Sequence, residues 1–484
     1  MFSKIVEAVN NVVWSPALVV LLIFAGLFFT FRTRFVQVRR LGLMVRLLFT
    51  KHKDEPSDSP DASANSDAVI PKNKVSSFSA FCMALSGRVG TGNIVGVATA
   101  LALGGPGAVF WMWVIAFFGA STAFVESTLA QLYRFPHHSS FRGGPSSYIQ
   151  EGLHKRWLGI AFAVICIFGY GMFLTTVQAN GASQAFLNSY NISPLATGIG
   201  LAVVLAIVII GGVRRIADVA SVVTPFMALG YIVIALVVLA CNARQIPFLL
   251  GQIVTNAFGI NPIAGGIIGS TIMMGVKRGI FSNEAGQGGG AIVSATANTK
   301  HPAQQGLVQA FSVYVDTLLV CTATALMILS AGTYNVFDAK TGEMLVANAP
   351  ELGNNYVYFT QSAVDSVFGG FGSQFVTIAL IFFVFTTLMA YYFYSETSII
   401  YICREVARKH KKQYSRKLED FFIWTFRIML LASVVFGAVR ETDVIWKLGD
   451  IGVGLMAWVN VIAILILSPQ AIKALREYEG KLRK

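Results

Sequence analysis

The stretch that decides the fold reads SGRVGTGN and occupies residues 86–93. It interrupts an apolar run over residues 77–101, which is long enough to cross a bilayer because a helical span needs about 20 apolar residues. Each of its glycines is roughly 1 kcal/mol less favourable than alanine inside a helix. Unwound backbone at membrane depth is tolerated only where it lines a cavity. The stretch therefore predicts a discontinuous transmembrane helix, which is typical of secondary transporters.

Composition places the whole chain among membrane proteins. Of its 484 residues 55% are hydrophobic and 13% are charged, against about 25% charged in a soluble domain. We predict an all-α polytopic membrane protein with about eleven transmembrane helices. The predicted spans are residues 14–32, 77–101, 105–133, 157–187, 194–212, 217–241, 263–285, 307–332, 371–402, 418–438 and 446–468.

The positive charges indicate how the chain crosses the membrane. The formal net charge is +13, and the lysines and arginines are concentrated on alternate loops, in the run 404–417 and in the tail 473–484. This asymmetry is the positive-inside rule. It predicts a multi-pass protein of the plasma (inner) membrane with its N-terminus outside and its C-terminus in the cytoplasm. The basic balance therefore reports topology, and we expect the lipid bilayer, not nucleic acid, as a partner.

The N-terminal apolar run is followed, not preceded, by its arginines, which is the reverse of a signal peptide. Residues 1–32 are therefore predicted to include an extra transmembrane helix. Residues 33–76 are predicted to form a cytoplasmic amphipathic helix and a polar linker.

A second interruption, GSTIMMGVKRGIFSNEAGQGGG, occupies residues 269–290. The interrupted spans are the second and the seventh, which stand five apart, as the first helices of two inverted five-helix repeats must. We predict repeats over residues 77–241 and 263–468, followed by a cytoplasmic basic tail over residues 469–484.

Enzymatic and metal chemistry find little support in the sequence. The five cysteines show no CxxC spacing, no Walker A motif occurs, and no histidine lies well inside a predicted span. We expect no enzyme, no cofactor and no metal cluster, with His137 and His138 solvated in a cytoplasmic loop. An uncoupled channel is the remaining alternative class, but no selectivity ring or symmetric pore motif supports it.

Four stretches resemble the alanine or glycine:cation (sodium) symporter family. They are SGRVGTGNIVGVATA (residues 86–100), GGPGAVFWMW (104–113), GVKRGIFSNEAGQG (275–288) and HPAQQG (301–306). The resemblance extends over residues 14–475. It implies a leucine-transporter-like 5+5 inverted repeat preceded by one extra helix, and sodium-coupled uptake of small neutral amino acids.

The first interruption suits a zwitterionic substrate. Freed N–H groups and half-helix N-termini attract a carboxylate, and exposed carbonyl, hydroxyl and amide oxygens suit sodium. The predicted cradle is Gly90, Thr91, Gly92 and Asn93. Whether Thr91 and Asn93 serve the amino acid or the ion is left open.

The resemblance adds further pocket residues, namely Gln178, Phe281, Thr387 and Tyr391. Phe281 would form an apolar wall that leaves room for a methyl side chain. The adjacent hydroxyls of Thr386 and Thr387 could complete a sodium site. The alternative is that they bond back to their own helix.

Ionisable residues inside the spans are costly and normally paired. They are Arg88, Glu126, Asp218, Glu284, Asp316 and Arg427. We predict that Arg88 and Glu126 form a structural or gating pair, and that Lys277, Arg278 and Glu284 form a cytoplasmic gate network. Glu284 could alternatively bind protons or sodium.

The two interruptions predict a transporter that works by alternating access with its site where they meet, and the resemblance implies that it is a sodium-coupled symporter for alanine or glycine. A carrier for glutamine or another neutral amino acid, or a proton-coupled carrier, is the alternative.

Overall fold

The computed structural model describes residues 2–50, 75–138, 140–259, 268–339, 341–409 and 415–482. Helices dominate these residues, as predicted. In chain order they are α1 (Phe2–Val13), α2 (Pro16–Arg32), α3 (Val36–Arg39), α4 (Leu41–Leu48), α5 (Ser77–Arg88), α6 (Val97–Gly104), α7 (Gly107–Leu132), α8 (Pro145–Leu153), α9 (Arg156–Phe168), α10 (Thr175–Tyr190), α11 (Pro194–Ile209), α12 (Gly212–Cys241), α13 (Ile246–Ala257), α14 (Ile268–Asn283), α15 (Gly289–Ser294), α16 (Pro302–Val313), α17 (Thr322–Ala331), α18 (Tyr356–Phe368), α19 (Phe371–Lys409), α20 (Arg416–Val439) and α21 (Thr442–Leu482).

Within the described ranges, three π-helical segments lie next to these helices. They are Gly92–Gly96 before α6, Gly169–Leu174 between α9 and α10, and Tyr314–Cys321 between α16 and α17. Such segments are frequent at functional sites because the extra residue per turn displaces side chains from the regular helical register.

Within the described residues, eight segments are long and apolar enough to cross a membrane. They are Ser3–Arg32, Gly107–Leu132, Arg156–Tyr190, Gly212–Cys241, Pro302–Ala331, Phe371–Lys409, Arg416–Val439 and Thr442–Leu482. The other predicted spans, at residues 77–101, 194–212 and 263–285, coincide with shorter helices. The chain is thus a multi-pass membrane protein, and the count of eleven spans stays a prediction.

Capping residues explain where several helices begin. Ser76 Oγ accepts the N–H of Ser79 over 2.9 Å at the start of α5. At α16, the His301 side chain accepts the N–H of Ala303 while the Gln304 side chain accepts the N–H of His301, with Pro302 in the first turn. These bonds satisfy N–H groups that a helix start leaves without an intrahelical partner.

Small residues let the central helices pack closely. A Cβ added at Gly275 of α14 would lie 2.5 Å from the carbonyl oxygen of Ala108 in α7. A Cβ at Gly306 of α16 would lie 2.7 Å from the carbonyl oxygen of Phe124, also in α7. Close backbone approach of this kind is how helices associate in a bilayer, where apolar side chains gain nothing from leaving lipid.

In the part of the chain that the structure describes, two short antiparallel hairpins add to the predicted all-α architecture: β1 (Phe135–His137) with β2 (Ser140–Arg142), and β3 (Asn335–Phe337) with β4 (Met344–Ala347). The first corrects the expectation that His137 is solvated, whereas His138 is exposed, as expected. Their rings lie 4.2 Å apart, and the His137 side chain is only 12% exposed beside Glu419, whereas that of His138 is 50% exposed. Hairpin pairing, which no spacing rule in this loop indicated, brings them together.

Candidate functional site

The first interruption, residues 86–93, comprises the last turn of α5, a bend at Val89 and Gly90, and the start of the π-helical segment Gly92–Gly96. Val89 has extended backbone, with φ −80° and ψ 92°. The N–H of Gly90 donates to Asn93 Oδ1 over 2.8 Å, and the N–H of Thr91 donates to Gln178 Oε1 over 3.0 Å. Side chains thus replace the helical carbonyl partners of these two N–H groups.

The second interruption separates α14 from α15. Its backbone turns through positive φ at Glu284 (54°), Gly286 (85°) and Gly288 (95°). Asn283 Oδ1 accepts the N–H of Ala285 over 3.0 Å, again in place of a helical carbonyl. Two glycines therefore stand where a side chain would be strained.

The two interruptions are in contact with each other. A Cβ added at Gly92 would lie 3.2 Å from Phe281 Cδ1 and 3.3 Å from Ser282 Cα. Arg88 Nε donates to the carbonyl oxygen of Asn283 over 2.6 Å. The last turn of α5 and the end of α14 therefore meet in the protein interior.

A fully buried carboxylate, that of Asp316, lies beside this contact. Its Oδ1 accepts Asn93 Nδ2 over 2.7 Å, and its Oδ2 accepts Ser282 Oγ over 2.9 Å and Thr317 Oγ1 over 2.6 Å. Neither Ser282 nor Asp316 was among the predicted site residues. The one signal for Asp316 was an acidic residue inside an apolar span, a position that normally marks a functional group.

The two adjacent threonines of α19 face different surroundings. Thr387 Oγ1 lies 2.8 Å from the carbonyl oxygen of Ser86 and 3.2 Å from that of Val89, so it reaches the first interruption. Thr386 Oγ1 lies 3.1 Å and 3.0 Å from carbonyl oxygens of its own helix, those of Phe382 and Phe383. Neighbouring positions on a helix project about 100° apart, so only one of the two can face the interruption.

Aromatic rings lie around the contact between the two interruptions. Phe281 lies 5.1 Å from Trp446 between ring centroids, and Tyr391 lies 5.0 Å from Tyr170. Gln178, Phe281 and Tyr391 are all buried. The predicted pocket residues are thus interior residues near the interruptions.

The predicted gate residues of α14 have a partner that the sequence did not reveal. Lys277 Nζ lies 2.7 Å from Asp450 Oδ2, and Arg278 Nη2 lies 2.5 Å from Asp450 Oδ1. The Arg278 guanidinium also stacks 4.9 Å from the Trp446 ring centroid. These charges lie in α14 before the interruption, toward the predicted outer side. The expected cytoplasmic network with Glu284 is therefore corrected, because Asp450 of α21 takes both cations.

Arg88 and Glu126 bond to different partners. Arg88 Nη1 donates to Gln309 Oε1 over 3.1 Å and also to Ser312 Oγ. Glu126 Oε2 accepts Asn460 Nδ2 over 2.9 Å. No ion pair links Arg88 to Glu126 in the part of the chain that the structure describes, so the predicted pair is replaced by contacts with neutral amides and a hydroxyl.

Glu284 is buried at the second interruption among tyrosines. Its Oε2 accepts the Tyr394 hydroxyl over 3.4 Å. Tyr394 packs against Tyr170, with 4.8 Å between ring centroids. Among the described residues, Glu284 thus forms no ion pair with Lys277 or Arg278.

Comparison with known proteins identifies the family. The model of the sodium:alanine symporter family matches residues 1–484. The chain belongs to the sodium:alanine symporter family. Members of this family are secondary transporters, so the chain is not an enzyme, as predicted.

Several relatives in the sodium:alanine symporter family are similar over most of the chain. A sodium/proton-dependent alanine carrier protein of Bacillus sp. (strain PS3) is 46% identical, covering 85% of this chain and 89% of that protein. The probable sodium/glutamine symporter GlnT of Bacillus subtilis is 42% identical, covering 99% and 91%. The sodium/alanine symporter AgcS of Methanococcus maripaludis is 35% identical, covering 100% and 98%.

A solved structure shares the fold of this family member. The crystal structure of MhsT in complex with L-phenylalanine superimposes with a TM-score of 0.52 at 13% identity, covering 84% of this chain and 98% of that one. At this identity the likeness concerns the fold alone.

Proposed function

We propose that the chain is a sodium-coupled symporter for small neutral amino acids, with alanine and glycine as substrates and alternating access as its mechanism. The observation that carries the proposal is the meeting of the two interruptions around a buried carboxylate, Asp316, and a hydroxyl, Thr387. We propose that both interruptions are breaks in transmembrane helices, within two inverted repeats over residues 77–241 and 263–468.

We place a first sodium ion between Asn93, Ser282 and Asp316. Amide, hydroxyl and carboxylate oxygens are the ligands that hard cations prefer. Asn93 turns Nδ2 toward Asp316 and Oδ1 toward the N–H of Gly90. With sodium bound, rotation of this amide would present Oδ1 to the ion. The negative charge of Asp316 would offset the cost of removing the ion from water.

We place a second sodium ion at Thr387. Its hydroxyl lies within 3.2 Å of the carbonyl oxygens of Ser86, Val89 and Phe383. The first two belong to the interruption and the third to α19 itself. An ion at this point would hold α5 against α19, so its release would loosen that contact, which is the coupling that alternating access requires. Thr386 is not needed for this site, because its hydroxyl bonds within α19.

The amino acid would bind between Gly90, Gly92, Phe281 and Tyr391. Thr91 Oγ1 and Asn283 Nδ2 are buried and have no hydrogen-bond partner among the described residues. Buried polar atoms are nearly always paired. A zwitterion bound beside them would supply the missing partners, and the Phe281 ring against the Gly92 backbone would limit the size of its side chain.

Lys277, Arg278 and Asp450 would form the outer gate of this pocket. The ion pairs join α14 to α21, and Arg278 stacks on both Phe281 and Trp446, with 5.3 Å and 4.9 Å to the ring centroids. Opening toward the outside would separate these groups.

We propose an outside N-terminus and a cytoplasmic C-terminus in the plasma (inner) membrane.

Uptake of labelled alanine into proteoliposomes tests the proposal. An inward sodium gradient should drive accumulation, and Asn93→Ala should abolish it while the protein still folds and inserts. Uptake that ignores sodium but follows a pH gradient would overturn the coupling.

Glutamine transport is the second candidate, since the relative GlnT carries that substrate in its name. Competition by unlabelled glycine and glutamine separates the two. Alanine uptake should be inhibited by glycine and left unchanged by an equal concentration of glutamine.

A further inference from the structure

Two histidine side chains and one carboxylate converge at the mouth of a surface cavity. His137 Nε2 lies 3.3 Å from Glu419 Oε1, and His138 Nε2 lies 3.8 Å from the same oxygen. One ligand atom from each of the three residues lies within 4.8 Å of the others. The group is far along the chain from the interruptions, and the proposed transport mechanism does not use it.

The turn of the first hairpin explains why two consecutive side chains point to one place. Successive residues of a strand project to opposite faces of the sheet. His138, however, leaves β1 with φ 48°, in the left-handed region, which few residues other than glycine adopt. This turn lets its ring come within 4.2 Å of the His137 ring. Strain of this kind persists only where the surrounding structure holds it.

Glu419 stands in the first turn of α20 and is only 3% exposed. Its second oxygen, Oε2, is buried and has no hydrogen-bond partner among the described residues. Arg416 and Asp420 line the same cavity and carry opposite charges. The carboxylate is therefore largely desolvated yet incompletely paired, a state that favours a bound cation.

We propose that His137, His138 and Glu419 bind a divalent transition-metal ion, with Zn²⁺ as the reference case. Two imidazoles and one carboxylate form a donor set that zinc accepts, with the fourth position left to water. Ligand atoms about 2.0–2.1 Å from a tetrahedral zinc ion are about 3.4 Å from one another. The 3.3 Å between His137 Nε2 and Glu419 Oε1 already matches this value. The three ligand atoms lie within 4.8 Å of one another, so the half-exposed His138 ring would have to move by at most about 1.4 Å to complete the site.

The cavity beside the three residues gives an ion access and room for a water ligand. Its volume is about 710 Å³, and all three residues line it. A bound ion would tie the β1–β2 hairpin, which connects α7 to α8, to the start of α20. The ion would thus crosslink the two histidines to Glu419, which follows them by more than 280 positions, on the predicted cytoplasmic side.

Direct metal binding tests the site. The full chain, free of any polyhistidine tag, is purified in detergent, stripped with a chelator and titrated with Zn²⁺ by calorimetry. Co²⁺ in a parallel titration reports coordination through its visible ligand-field absorption. The variants are His137→Ala, His138→Ala and Glu419→Gln. The matched control is His154→Ala, an exposed histidine outside the cluster.

We expect one Zn²⁺ per chain. Each ligand variant should weaken binding about 10-fold or more, since changing even the hydrogen-bond partners of metal ligands costs about 10- to 100-fold. His154→Ala should bind as the unaltered protein does. Absence of stoichiometric binding, or equal affinity in the histidine variants, overturns the proposal. If Glu419→Gln fails to elute as a folded protein, the more exposed His138→Ala variant decides the outcome.

Discussion

Asn93 donates its side-chain N–H to the carboxylate of Asp316 over 2.7 Å, across 223 positions of the chain. The bond joins the first interruption to the π-helical segment between α16 and α17. Because Asp316 is fully buried, its charge needs compensation from its neighbours or from an ion.

Asp316→Asn tests whether that charge holds sodium. The substitution keeps the size and polarity of the side chain but removes its negative charge. The sodium concentration for half-maximal alanine uptake should rise about 10-fold or more, which corresponds to ~1.4 kcal/mol. Sodium titration of uptake in proteoliposomes measures the change. Thr317→Val, which removes one hydrogen bond to the same carboxylate but leaves its charge, should have a smaller effect. Equal sodium dependence in Asp316→Asn and the unaltered protein would refute the role.

Thr387→Ala should impair sodium-driven uptake, whereas Thr386→Ala should leave it nearly unchanged. The Thr387 hydroxyl reaches the carbonyl oxygens of Ser86 and Val89. Among the described residues, that of Thr386 bonds within α19 and to the Met227 sulfur, 3.5 Å away. Thr387→Ser, which retains the hydroxyl, should restore most of the activity. The same uptake assay compares the three variants side by side. A larger loss in Thr386→Ala than in Thr387→Ala would contradict the proposed second sodium site.

Those features of the protein that depend on local sequence could be predicted. Glycine clusters inside apolar runs located the stretches at Gly90 and Gly286, because a glycine-rich break is costly in a helix wherever it occurs. Sequence alone could not choose between Thr386 and Thr387, because both carry the same hydroxyl and only the rotation of α19 separates them.

Contacts between residues that are distant along the chain could not be predicted from the sequence, for a different physical reason. Asp450 lies 172 positions from Arg278, and nothing in either local sequence indicates the other. Arg88 and Glu126 were paired by opposite charge alone. In the protein, each instead hydrogen-bonds to neutral groups supplied by helices α14, α16 and α21, and Arg88 Nη2 and Glu126 Oε1 have no partner among the described residues.

Asp450→Asn should destabilise the protein. It leaves the buried cations Lys277 and Arg278 without a carboxylate, and breaking a buried ion pair costs about 3–5 kcal/mol. Thermal unfolding in detergent should show a lower midpoint. Adding Lys277→Met to this variant removes one unpaired charge and should recover part of the loss. A midpoint in Asp450→Asn equal to that of the unaltered protein would show that these groups are already hydrated.

Gly92→Ala should change which substrate is preferred. The added Cβ would lie 3.2 Å from the Phe281 ring and 3.3 Å from Ser282 Cα, so the ring must move by a few tenths of an ångström into the proposed pocket. A narrower pocket disfavours the methyl group of alanine more than the hydrogen of glycine. The ratio of alanine to glycine uptake, measured with both labels in the same proteoliposomes, should therefore fall. Gly200→Ala is the matched control, since a Cβ there meets nothing within 4 Å. An unchanged ratio in Gly92→Ala, with transport otherwise intact, would place the substrate side chain away from Phe281.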